Sequence, residues 1–343
     1  MPQASITVVV VTYRHGEAVR PALDALGREL GDGDELIVVD NASGDETLDV
    51  VRDAAPKAIV IESVANDGFP AACNRGAAHA VGDLLVFLNP DAVVADGWRD
   101  AIAAPLSDGS GWSAWQAHVT AERGRLVNTR GGVVHFTGIA WAGGAGEPVD
   151  EADSYPEPGF CSGACLAIPR GEFERLGGFA AEFFLYHEDV DLSLRAHLSG
   201  GTLGVAAGAR ADHLYEFDKG PAKWRYLERN RWATLIRVYP GPLLALIMPA
   251  LLMTELALLA VSAVGGWLPQ KLASWWDVVR WLPRLLRERL EIQATAEVSA
   301  GEFAKALTPS LASRYLGRPG GSPTLGRLLG AYWRVVLRLL GSA

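Results

Sequence analysis

The sequence predicts an α/β protein with a mostly parallel sheet, and three features of its first 90 residues lead there. Residues 5–12, 35–40, 58–61 and 84–88 are short runs rich in Val, Ile and Leu, the composition of strands buried on both faces. Helical patterns near 18–30, 46–54 and 70–80 separate them, at the spacing of right-handed βαβ units. The fourth run stops abruptly at Asn89-Pro90-Asp91. It would deliver a carboxylate to the sheet edge where open α/β folds bind ligands, which makes Asp91 a metal-ligand candidate. Asn-Pro-Asp is also an ordinary turn sequence, so alone it leaves both readings open.

The first run leads into Thr12-Tyr13-Arg14-His15-Gly16 and not into Gly-x-Gly-x-x-Gly, which disfavours a nicotinamide or flavin enzyme of the usual kind. The second ends at Asp40, ahead of Asn41-Ala42-Ser43-Gly44, where an acid can also serve as a capping or turn residue. From 112 to about 168 the chain becomes Gly- and Trp-rich with alternating segments, as in mixed or antiparallel strands and loops. Residues 188–201 place acids first, apolar residues at helical spacing, and two glycines last. That is a short, well-punctuated helix whose first-turn carboxylates can face a cleft.

Residues 241–266 form the most apolar window, long enough to cross a bilayer. Glu255 falls near its middle, where an ionisable group costs about 2.5–3.5 kcal/mol. Arg229, Arg231 and Arg237 precede it and Lys271, Arg280 and Arg284 follow, so both flanks prefer the cytoplasmic side. The pattern predicts a hairpin or in-plane insertion kinked near Pro249, with a buried core helix pair as the alternative. Residues 271–290 and 325–340 combine apolar stripes, Trp and interleaved Arg, as interfacial helices do. A Gly/Pro-rich break at 317–323 lies between them. The expected organisation is an α/β domain over 1–240 and a hydrophobic, basic helical region over 241–343.

The formal charge of −9 conceals a division: residues 221–343 hold 16 Lys+Arg against 7 Asp+Glu, or +9, leaving −18 for residues 1–220. A basic tail on an acidic body suggests an anionic partner for the tail. The basic residues alternate with long aliphatic and Trp-rich stretches, which fits a lipid surface and speaks against nucleic acid. Three cysteines, Cys73, Cys161 and Cys165, and the lack of an apolar N-terminal run argue against a secreted disulfide framework. The cysteines lack zinc spacing and read as small buried side chains.

Several ordered motifs complete the picture: Val10-Val11-Thr12-Tyr13-Arg14, Val38-Val39-Asp40-Asn41-Ala42-Ser43, Asn66-Asp67-Gly68-Phe69, Asn74-Arg75-Gly76 and Leu88-Asn89-Pro90-Asp91. Further on come Ser162-Gly163-Ala164, Gly177-Gly178-Phe179, Tyr186-His187-Glu188-Asp189-Val190-Asp191, His213 and Arg229-Asn230. As an ordered set they resemble family 2 glycosyltransferases of the GT-A fold, nearest to bacterial rhamnosyl- and galactofuranosyltransferase-like members, over about residues 5–240.

The resemblance implies an inverting transfer from a nucleotide-sugar donor, with a divalent metal, Mn2+ or Mg2+, neutralising the leaving diphosphate. It assigns the metal to Asp91 and His213, with Asn89 where relatives often carry the first acid of Asp-x-Asp. For His213 the competing reading is a surface loop histidine beside Asp212. Asp40 would hydrogen-bond a pyrimidine base, with Thr12, Tyr13 and Arg14 lining its pocket; Gly68, Asn74 and Arg75 would approach ribose and diphosphate. Asp189 would be the general base. Ala180 stands where relatives often place Asp after Gly-Gly-Phe. The implied donor is dTDP-rhamnose, with UDP-galactofuranose, UDP-hexose or GDP-mannose as alternatives. The implied acceptor is a lipid-linked or polymeric cell-envelope glycan at the cytoplasmic face of the membrane. A catalytically silent nucleotide-binding scaffold is the rival from another class. Oligomeric state stays open, a homodimer included.

Overall fold

Strand β1 (Ile6–Thr12) is buried along its whole length, as its unbroken apolar run requires. It lies inside the sheet, between the second and fourth strands, in a computed structural model describing residues 4–150, 152, 154–213, 220–313 and 322–342. Helix α1 (Arg20–Glu29), strand β2 (Glu35–Asp40), helix α2 (Thr47–Ala54), strand β3 (Ile59–Glu62), helix α3 (Phe69–Ala77) and strand β4 (Leu84–Leu88) follow in order. Strands β1, β2, β3 and β4 pair in parallel in the order β3-β2-β1-β4. Each expected strand and helix of this half is present, with ends shifted by a few residues.

Past β4 the sheet becomes mixed. Strand β5 (Ala92–Val94) and helix α4 (Trp98–Ala103) precede β6 (Ala114–Ala121), β7 (Leu126–Thr129), β8 (Gly132–Val134), β9 (Ala140–Ala142) and β10 (Cys165–Pro169). Helices α5 (Arg170–Arg175) and α6 (Glu188–Leu198) and strand β11 (Leu203–His213) complete this part. Among the described residues, β10 pairs antiparallel with β4 and β6, β11 runs parallel to β6, and β5 closes the far edge antiparallel to β11. The core between sheet and helices holds Val8, Val10, Leu23, Val38, Val86, Trp98 and Trp115. All three cysteines are buried, and burial pushes the Cys165 thiol up to about 12, which leaves it unreactive at neutral pH.

The remaining helices are α7 (Ala222–Val238), α8 (Gly241–Val264), α9 (Leu268–Ala294), α10 (Ala300–Lys305) and α11 (Pro323–Leu339). By compactness the chain divides into one unit of residues 1–132, 142–192 and 201–215 and a second of 133–141, 193–200 and 216–343. The expected hairpin near Pro249 is corrected: α8 is one helix of 24 residues running through Pro249. An internal proline removes one backbone bond and bends a helix without having to end it. The chain turns instead at Gly265-Gly266, where Gly266 takes a positive φ. Of the expected break at 317–323, residues 317–321 lie outside the described residues.

Candidate active site

The site is built at the C-terminal ends of β1, β2 and β4, within the first unit. Register sets Thr12 beside Asp40 and Val10 beside Leu88, so the segments following these three strands emerge along one edge. Asp40 is almost fully buried. Its Oδ1 accepts from Thr12 Oγ1 at 3.0 Å and from Ser43 Oγ, and its Oδ2 accepts from the Ser43 amide at 3.0 Å. Asp40 thus ties the first strand to the turn after the second, the turn role that the sequence allowed. Arg14 joins the same turn, its amide donating to Ser43 Oγ at 2.9 Å and its Nε to the Ser43 carbonyl at 3.3 Å. Tyr13 stays exposed with the Arg14 guanidinium 5.2 Å from its ring centre, a surface-side cation–π contact.

The next layer is an asparagine relay that the motifs contained without assigning. Asn41 Nδ2 donates to Asn66 Oδ1 at 2.8 Å and to the Gly68 carbonyl at 3.2 Å. Gly68 has φ +88°, and a Cβ there would lie 2.4 Å from the Phe184 carbonyl oxygen. Only glycine admits that approach. Across it the Phe69 amide donates to the Phe184 carbonyl at 2.8 Å. Asn74 spends its amide on a clamp: Nδ2 donates to the Phe179 carbonyl at 2.8 Å, and Oδ1 accepts from the Phe179 amide at 2.9 Å. Arg75 pairs with Asp67 at 2.7 Å and contacts Ser63 Oγ. Gly68 and Asn74 therefore hold the loop leading to the Glu188-Asp189 pair. In that loop Phe184, Tyr186 and His187 all have positive φ, a conformation costing about 1–3 kcal/mol per residue and concentrated at functional sites.

That loop delivers the acids at the start of α6. Asp189 Oδ2 accepts from the Gly163 amide at 3.0 Å and Oδ1 from the Val190 amide at 2.8 Å. Burial raises the Asp189 carboxyl above its ordinary value, against the pull of these amides. Glu188, which the sequence suggested only as a helix-start acid, is buried beside it. Its Oε2 has no hydrogen-bond partner among the described residues. Burial, then the Asp189 charge, drive Glu188 well above the usual carboxylate range. Two adjacent carboxyls pushed upward, one with an unsatisfied oxygen, are suited to holding or taking a proton near neutral pH.

The Ser162-Gly163-Ala164 turn connects this pair to the other half of the site. Gly163 holds Asp189, and the Ala164 carbonyl accepts from the Asn89 amide at 3.0 Å. Strand β11 pairs with β5 so that His213 stands opposite Ala92. His213 Nε2 lies 3.0 Å from Asp91 Oδ1 and 3.1 Å from Asn89 Nδ2. Neighbouring Asp212 accepts from Thr120 Oγ1 and from the Arg123 and Gly124 amides, which fixes the end of β11 and argues against a loose surface histidine. Among the described residues no group of three His, Cys, Asp or Glu converges as a metal cage. A carboxylate and an imidazole nitrogen at one point do suit a divalent ion that takes its other ligands from a diphosphate. The imidazole favours manganese over magnesium.

The sequence profile of Glycosyl transferase family 2 matches residues 7–170, the stretch that carries Thr12, Asp40, Gly68 and Asp91. Residues 7–170 are a family 2 glycosyltransferase domain. The glycosyltransferase is 26% identical over 254 residues to the N-acetylglucosaminyl-diphospho-decaprenol L-rhamnosyltransferase of Mycobacterium tuberculosis, covering 67% of this chain and 83% of that one. It is 28% identical over 193 residues to an O-antigen biosynthesis protein of Myxococcus xanthus, covering 52% of this chain but 14% of that much longer one. Its fold is GT-A. GalNAc-T7, crystallised with UDP, GalNAc and Mn2+, superposes with a TM-score of 0.59 at 16% identity, over 71% of this chain and half of its own length. A mannosyltransferase from Pyrobaculum calidifontis in complex with GDP-Man and Mn2+ superposes with a TM-score of 0.52 at 20% identity, over 85% and 86% of the two chains.

Proposed function

We propose that this glycosyltransferase moves a sugar, rhamnose from dTDP-rhamnose as the first choice, to a lipid-linked or polymeric glycan acceptor, with inversion at the anomeric carbon. It would work at the cytoplasmic face of a membrane, residues 1–240 holding the chemistry and 241–343 the membrane-associating helices. The observation that supports this reading is the turn at 162–164, which ties the Asp189 carboxyl to the end of β4 bearing Asn89 and Asp91, where His213 at the end of β11 meets Asp91. A base and an anion-side ligand pair stand on two sides of one backbone segment, as single displacement requires.

In this reading Asp91 and His213 hold a divalent ion, Mn2+ before Mg2+, which when bound neutralises charge on the departing diphosphate. Thr12, Tyr13, Arg14 and Asp40 border the base, and Asp40, already satisfied by Thr12 and Ser43, acts on it chiefly by shaping the turn. Arg75 and Asn89 flank the diphosphate. Asp189 takes the proton of the acceptor hydroxyl as that oxygen forms its bond to the anomeric carbon, and the bond from that carbon to the diphosphate oxygen breaks. The acceptor choice follows the lipid-linked substrate in the mycobacterial relative's name.

Calorimetric titration of dTDP, UDP and GDP into the protein, with and without manganese, tests the reading. Manganese-dependent binding of dTDP above the other two is the expected result. Preference for UDP or GDP would replace the donor, and no binding by any of the three in folded protein would overturn the proposal.

A further inference from the structure

Helix α8 contains one ionisable residue, Glu255, and within the second unit that residue is locked in place. Its Oε2 accepts from Lys271 Nζ and Trp275 Nε1, both at 2.7 Å, and its Oε1 accepts from Arg231. Glu228 of α7 closes the network, accepting from Arg231 Nη2 at 2.9 Å and from Lys271. Two acids balance two bases, and all four are buried. The midpoint of α8 is thereby fastened to α7 and α9 along one stripe, Leu243, Ile247, Leu251 and Glu255, spaced four residues apart.

The rest of α8 is apolar and uncovered. Met248, Leu252, Met253, Leu256 and Val264 are 42–92% exposed, and only 17% of the most apolar 18-residue stretch is buried, unlike a core helix. On α9, Leu272, Trp276, Val279, Leu286 and Leu290 are exposed and fall on one stripe by the 3.6-residue repeat. Exposed Arg280 and Arg287 flank that stripe on the Trp276 side. On α11, exposed Leu328, Val335 and Leu339 form a row, and exposed Arg327, Arg334 and Arg338, each one residue earlier, form a second row alongside. Between α8 and α9, Leu252, Leu256, Leu259, Val278 and Val279, with Trp232 of α7, line a groove of about 570 Å³.

We propose that these faces dock onto an anionic lipid bilayer in its plane, with α8 lying along the interface and not crossing it. Exposed apolar area of this extent needs a partner, and the arginine rows beside it match lipid phosphates. The match is local, since residues 221–343 carry +9 and residues 1–220 carry −18. A second copy of the chain would set arginine rows against one another. A crossing α8 would either drag Arg231, Glu228 and Lys271 into hydrocarbon or tear Glu255 from them, and both are costly. The inference deepens the membrane side of the proposed function, while its evidence is independent of the donor chemistry.

The test uses the full chain and vesicles of phosphatidylcholine with or without phosphatidylglycerol, with nucleotide titration as the control for the catalytic part. We expect sedimentation with the phosphatidylglycerol vesicles only, weakened roughly tenfold or more at about 0.5 M salt. Binding should be lost in Leu252→Glu/Leu256→Glu with nucleotide affinity unchanged, and alkaline carbonate should strip the protein from cell membranes. Three results would overturn the proposal: unchanged vesicle binding in that double variant, retention through carbonate as for a spanning helix, or a salt-stable dimer dispersed by the same substitutions. Lost nucleotide binding with intact vesicle binding would instead remove the transferase reading.

Discussion

At the residue scale, Asp189 is fixed by two backbone amides and raised by burial, the compromise a general base needs between stable position and basicity. Asp189→Asn keeps the shape and can still accept from one amide. It should reduce turnover by about 10²–10⁴-fold while leaving the calorimetric affinity for nucleotide unchanged; turnover near the parent level would remove Asp189 from the mechanism. Asp91→Ala leaves His213 without its carboxylate neighbour, so the manganese-dependent part of nucleotide affinity should disappear and the metal-independent part should remain. Asp91 was legible as a candidate because it sits where a strand ends, and Asp189 through the resemblance to the family. Glu188 was not, because an acid in a first helical turn looks the same in sequence whether it faces water or is buried with an unpaired oxygen.

At the scale of elements, the segment leading into α6 is held by contacts from α3 and the turn before it. Gly68→Ala would force a Cβ into the Phe184 backbone at a positive φ. A cost of about 1–3 kcal/mol is expected, seen as a lowered Tm, together with reduced turnover from a displaced Glu188-Asp189 pair. In the other unit, Glu255→Ala would leave Arg231 and Lys271 facing Glu228 alone. Removing one partner of a buried network costs about 3–5 kcal/mol, so urea unfolding of this variant should shift far more than that of the exposed Leu252→Glu. Helices α6, α9 and α11 were readable from periodicity, while α7, which carries Glu228 and Arg231, was not expected. The continuity of α8 through Pro249 was not, since a proline marks a lost hydrogen bond and its neighbours decide whether the helix ends.

At the scale of the whole molecule, the two buried carboxyls link stability to pH. Their folded-state values lie above their unfolded ones, so the folded protein holds extra protons between the two. Their contribution to stability is full below the ordinary carboxylate range and is lost as pH rises through the raised values. Asp189→Asn and Glu188→Gln should therefore raise Tm at neutral pH relative to the parent and narrow the difference at pH 4. Turnover runs the other way, falling as pH drops through the same raised values, because the base must be ionised. A thermal melt series and a pH–rate profile on the same samples would show the two trends crossing.

The sequence by itself determined the alternation of β1 to β4 with their helices, the glycosyltransferase domain and the acidic body with a basic, apolar tail, because hydrophobic period and ordered motifs are local properties of a chain. Only the tertiary structure decided that Asp40 and Asn74 spend their hydrogen bonds inside the protein, that Asp189 and Asn89 share one backbone turn, and that Glu255 is neutralised by Arg231 and Lys271. Apart from the Asp40–Ser43 turn, these contacts join residues 16 to more than 100 positions apart. Which polar group satisfies which is settled by packing distance, and spacing along the chain does not record it.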